Sequence, residues 1–276
     1  MNDIEKIIKS PFYEVVRILD ELKYWDLRNN AEQIQENHAL PNYVDFFHTI
    51  ETLLLGIQSA ISYMQLSVSF IQRKNFKQYF LTLGYTDYSV YRYHYFVFCH
   101  GVATLHDLFF KLVVEVNGFN VGSKRMIQWK PLRKMLSKEN EKDIIRQMED
   151  FYAEIKEHEN KRNTVSHEGF LTSPLLENYN TTYIWTNAHS KNDNENCYPQ
   201  YTGGTKENKY LLGKTKKNLV DELNKQIDSS INYTLSLFDL LLPILVNRID
   251  VEYINSYKEI LENLNNENVN KYLLIE

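Results

Sequence analysis

The stretch KDIIRQMEDFYAEIKEHENKRNTVSHEGF, Lys142 to Phe170, decides how the chain is read. Ile144, Met148, Phe151 and Ile155 recur at i, i+4, i+7 and i+11, with Ile145 and Tyr152 widening the stripe, which is the period of a helix with one buried face. A helix from roughly Asn140 to His167 is expected. Carrying the stripe forward lands on His158, Glu159, Arg162 and Asn163, so the apolar face turns polar and ionisable without rotating toward solvent. Helical spacing sets Asn163 above Glu159 and His167 above Asn163. Buried polar groups without partners cost several kcal/mol, so this face requires a satisfied network, an interface with a second chain, or a wet cleft. A plain helix end is the simpler account. Cations in the last turn gain about 0.3–1 kcal/mol each from the helix dipole, and Gly169 stands where a left-handed terminating residue is expected.

Outward from this segment, helical signals dominate. Ser10-Pro11 offers a hydroxyl cap followed by proline at the first helical position, and Val15, Ile18, Leu22 and Trp25 continue the pattern to about Asn29. Further long helices are expected from about Tyr43 to Gln72 and from about Tyr88 to Asn117, the latter stopped by Gly118. A short one is expected around Lys124 to Leu136. From Lys214 to about Asn265 the period returns through Leu219, Leu223, Ile227, Ile231, Leu235 and Phe238, with Pro243 expected to kink or break the helix. Between Phe170 and Gly213 the composition shifts to Asn, Thr, Ser, Gly and Tyr, where YNTTYIW and KYLLG read as strands of a small surface hairpin. The expected fold is all-α, one domain over residues 1–276, with an N-terminal helical layer or small lobe at 1–75 and an insertion at 170–213.

Composition agrees with helices. The 276 residues are 43% hydrophobic and 13% aromatic but hold only 9 Gly and 6 Pro, too few turn formers for a many-stranded protein. Cys99 and Cys197 form no CxxC pair, which argues against a disulfide framework and a thiolate metal site. His94, His100 and His106 lie six apart on one helix and turn away from each other, so no metal is expected. No Walker loop or GxGxxG occurs, so no cofactor is expected either. A net charge of −5 gives no global pull toward nucleic acid. The basic runs KPLRKMLSK and KENKYLLGKTKK read first as solvated faces, with an RNA groove as the sharper alternative. MNDIEKIIKSPFYEVV lacks the uninterrupted apolar stretch of a signal peptide, and the longest apolar run, Leu235 to Val246, contains Asp239 and Pro243. The chain is therefore expected to be cytoplasmic, without a membrane span.

The segment RNTVSH, Arg162 to His167, resembles the R-x4-6-H motif of the HEPN superfamily, in which a polar residue, often Asn, commonly follows the Arg. The order of elements is similar too: a long helix with LHDLFFKLVVEVNGF, a short helix, a helix ending in the motif, and another long helix, over roughly Tyr85 to Ile249. The resemblance implies a helical bundle that forms a homodimer through the motif face. In many members it also implies a metal-independent ribonuclease of toxin, antiphage defence or RNA-processing systems. Carried to matching positions, Arg162 and His167 are catalytic and Asn163 is the supporting residue. One departure stands out: many HEPN toxins controlled by a partner nucleotidyltransferase carry Tyr two positions after the motif His, where this chain has Gly169.

The residue types suit that chemistry. An imidazole with an ordinary pKa near 6.5 serves as base or acid at neutral pH. A guanidinium donates two parallel hydrogen bonds to phosphate oxygens, and the Asn163 amide orients either group. One imidazole does not readily serve both ends of a displacement. Two symmetry-related copies would supply a second His and a second Arg. The expected function is endoribonuclease activity on RNA, leaving a 2',3'-cyclic phosphate; the alternatives are a non-catalytic module for dimerisation or nucleotide binding, and a monomeric helical scaffold.

Overall fold

The computed structural model describes residues 3–29, 41–73, 87–120, 128–168, 174–187, 206–249, 251–264 and 266–274, several helix ends, including 23–29, 41–45, 159 and 161–168, by their backbone alone. Every regular element among the described residues is an α-helix. In chain order these are α1 (Asp3–Ile8), α2 (Pro11–Asn29), α3 (Pro41–Gln72), α4 (Asp87–Asn117), α5 (Trp129–Lys138), α6 (Lys142–Glu168), α7 (Pro174–Asn187), α8 (Lys206–Asn247), α9 (Val251–Ser256), α10 (Lys258–Asn263) and α11 (Glu267–Tyr272).

The local signals act where the sequence puts them. The Ser10 hydroxyl donates to the Ile7 carbonyl at 2.7 Å and accepts from the Tyr13 amide at 3.4 Å, closing the first turn of α2. Gly118 has φ +66°, its amide bonds the Glu115 carbonyl, and the Phe119 amide bonds the Val114 carbonyl. That pair of bonds ends α4 in a Schellman motif. Asn140 does the same for α5 at φ 63°, with the Glu141 amide on the Leu136 carbonyl.

The chain forms two compact units. The first comprises Met1–Ile61, Thr104–Glu154 and Ser230–Glu276. Its core is built from Phe12, Val16 and Leu19 of α2, Ile50, Leu54 and Ile57 of α3, Phe109 and Val113 of α4, Met148 and Phe151 of α6, and Phe238 and Leu241 of α8. Phe12 stacks on Phe238 at 4.9 Å, and Phe151 meets Phe109 at 5.0 Å and Tyr233 at 5.1 Å. The N-terminal helices thus share one core with later elements. At the other end of the chain, Asn266 caps α11, and the Asn268 amide donates to the Glu14 carboxylate of α2 at 2.5 Å.

The second unit comprises Ser62–Ala103 and Ile155–Ser229. Met64, Val68, Tyr95, Phe98, Val102, Ile155, Leu176, Tyr179, Leu219 and Leu223 are buried in it. Tyr91 of α4 receives the Tyr179 ring edge-on at 4.9 Å and carries the Lys216 ammonium 4.9 Å above its face.

Three expectations are corrected. YNTTYIW and KYLLG are not strands: Tyr179–Trp185 lies in α7 and Lys209–Gly213 in α8. Leu176 and Tyr179, one turn apart, bury together, and the Thr182 hydroxyl bonds back to the Asn178 carbonyl at 2.7 Å, so the polar residues are satisfied within the helix and weak strand propensity is overridden. Of the kink or break expected at Pro243, the break does not occur: α8 continues through it to Asn247.

The third correction concerns location. Phe46–Gln72 of α3, Ser89–Asn117 of α4 and Tyr210–Asn247 of α8 are each long and apolar enough to cross a membrane. This overturns the expectation of a cytoplasmic chain with no membrane span. Judging by consecutive apolar residues missed it, most plainly in α3, which Ser, Thr, Gln and Tyr interrupt without adding charge. From Thr52 to Gln72, α3 has no Asp, Glu, Lys or Arg, and Leu55, Tyr63 and Leu66 are exposed along it. On α8 the exposed positions are mixed: Tyr210 and Leu211 are exposed, as are the polar Asp221, Lys225, Asp228, Asn232 and Asp239.

Candidate functional site

The stripe on α6 is buried as its period requires: Ile144, Met148, Phe151 and Ile155 are at most 1% exposed. Ile145 is half-buried, whereas Tyr152 is exposed at the stripe's margin with its ring 5.3 Å from that of His106. The next residue of the stripe, His158, is half-buried. Its ring meets Phe98 of α4 edge-on at 5.8 Å, and its Nδ1 lies 3.7 Å from the Cys99 sulfur. The polar continuation of the stripe therefore begins on the packed side of α6 and within the second unit.

Arg162 is one turn beyond His158 in the same row, and the backbone of α6 stays helical through Glu168. The side chains of Arg162, Asn163 and His167 lie outside the described residues, as does Gly169. Helical geometry still sets their register. Arg162 and His167, five apart, are separated by about 7–8 Å of rise and about 140° of rotation, while Asn163 and His167 share a row. Arg162 and His167 thus stand at positions on two different rows of the α6 backbone.

The other candidates take the plainer reading. His94 stacks flat on Phe70 at 4.6 Å, His100 is exposed, and His106 is buried against Phe110 at 4.3 Å. The three histidines of α4 therefore do not gather around one ion. In α5, Leu132 and Leu136 are buried while Lys130, Arg133, Lys134 and Lys138 are exposed, and Arg133 pairs with Glu149 at 2.7 Å. That basic run is a solvated face.

A grouping that sequence reasoning missed lies in the first unit. Asp20 of α2, with His48 and Glu51 of α3, places three potential ligand atoms within 4.8 Å of one another. Asp20 is 3% exposed. Only the i,i+3 relation of His48 and Glu51 was readable as a pattern; their approach to Asp20 is a tertiary fact.

No family profile, no curated protein and no solved structure matches this chain.

Proposed function

We propose that the chain is a metal-independent endoribonuclease of the HEPN type, acting as a homodimer on RNA, with Arg162 and His167 catalytic and Asn163 orienting. The observation that carries this reading is the inward packing of His158 against Phe98 and Cys99, one helical turn before Arg162 on a helix that continues through the motif. A charged helix end that only decorates the surface would have its preceding polar residue in solvent.

In this mechanism His167 removes the 2'-hydroxyl proton, and the oxygen attacks the adjacent phosphorus. The Arg162 guanidinium holds the charge developing on the phosphate. A second His167, from the other copy, protonates the departing 5'-oxygen. The products are a 2',3'-cyclic phosphate and a 5'-hydroxyl.

The test is incubation of the purified chain with mixed RNA in chelator, wild type beside His167→Ala. Cleavage by the wild type alone, leaving cyclic phosphate ends, supports the proposal. Equal inertness of both proteins overturns it in favour of a non-catalytic binding module.

A further inference from the structure

We infer that Asp20, His48 and Glu51 form a binding site for one divalent first-row metal ion, of the zinc or manganese class, which clips α2 to α3 inside the first unit. Three observations converge. Asp20, 3% exposed, lies on α2, whose residues Phe12, Val16 and Leu19 are core. His48 and Glu51, three apart on α3, share a face, and a potential ligand atom of each lies within 4.8 Å of one from Asp20.

The distances are compatible with shared coordination. His48 Nδ1 and Asp20 Oδ1 are 3.9 Å apart, beyond hydrogen-bond reach. Two donors each bound at about 2.1 Å to one ion lie within about 4.2 Å of each other, so this pair already fits. The full triad lies within 4.8 Å, so side-chain adjustments of less than about 1 Å bring all three donors into that range.

Charge also balances. With neutral imidazole, the two carboxylates carry two negative charges, which one divalent ion neutralises. The donor set is one nitrogen and two carboxylates with no thiolate, a set that suits zinc or manganese over copper(I) or an iron–sulfur cluster. His48, with its side chain 59% exposed, leaves the ion open to water.

The experiment is calorimetric titration of Zn2+ and of Mn2+ into the metal-stripped full chain, with melting followed in parallel. One ion per chain is expected, with a rise in the melting midpoint. His48→Ala and Glu51→Gln, both at accessible positions that leave the core intact, are each expected to weaken binding at least tenfold and to remove the rise. Asp20→Asn is expected to abolish binding, and His100→Ala to leave it unchanged. Absence of saturable binding, or binding that survives both His48→Ala and Glu51→Gln, overturns the inference. These readouts do not involve RNA, so they stand or fall independently of the ribonuclease proposal.

Discussion

The Cys99 sulfur lies 3.7 Å from Nδ1 of His158, joining α4 to α6 one turn before Arg162. With the Phe98 ring edge-on to the same imidazole, this contact fixes the last described side chain of the buried stripe. His158→Ala is expected to destabilise the fold by about 1–2 kcal/mol, through lost ring contacts and a small cavity. Denaturant unfolding followed by circular dichroism measures it, and an unchanged midpoint would place His158 outside the packing.

The motif variants read differently. Arg162→Ala and His167→Ala are each expected to reduce RNA cleavage about 100-fold or more, with secondary structure and dimer mass retained in light scattering. Loss of the dimer with either substitution would assign these residues to the interface.

The end of α4 is closed from both sides. Gly118 adopts φ +66°, and Arg248 Nη1 donates to the carbonyls of Glu115 at 2.6 Å and Val116 at 2.7 Å, with its guanidinium 4.7 Å over Phe46. A Cβ at Gly118 would meet the Arg248 guanidinium at 2.7 Å. Gly118→Ala is therefore expected to cost about 1–3 kcal/mol, by adding backbone strain and displacing those donors. In a double-mutant cycle with Arg248→Ala the costs are expected to be less than additive.

Tyr13 carries a pH signature. Burial, and then the negative charge of Glu51, push its hydroxyl above the usual tyrosine value, against an opposing pull from Arg17. A raised folded pKa means that stability is fully present below the unfolded value of about 10 and is lost as pH rises through the folded value. Unfolding midpoints are expected to be flat through neutrality and to fall above about pH 10, with a smaller fall in Tyr13→Phe. The same variant forfeits the hydrogen bond from the Tyr13 hydroxyl to Gln58 Oε1 at 3.1 Å, about 0.5–1.5 kcal/mol at neutral pH.

The apolar helices make a prediction at the level of the cell. The 27 residues of Phe46–Gln72 extend about 40 Å as a helix, against about 30 Å of hydrocarbon. The chain is expected in the membrane fraction, resistant to high salt and released by detergent. Quantitative recovery in the salt-washed supernatant would show that these helices pack only against protein.

Much of the fold was legible because its signals are local. Ser10, Gly118 and the stripe from Ile144 to Ile155 act through residues no more than a turn or two away, so spacing alone foretold a cap, a stop and a buried face. The inward course of the stripe at His158 was legible for the same reason. The supposed hairpin failed because Asn and Thr weigh against helix only weakly, and the burial of Leu176, and of Tyr179 against Tyr91, outweighs that preference.

The sequence by itself determined that this protein is helical, where α2, α3, α4 and α6 begin and end, and where a guanidinium and an imidazole stand near the end of one of them. Tertiary structure decided the division into two units, the partner of His158, and the gathering of Asp20, His48 and Glu51 from two helices. The physical reason is range. Helical periodicity and capping are written within a few residues, whereas the approach of one helix to another depends on how all their faces share a core.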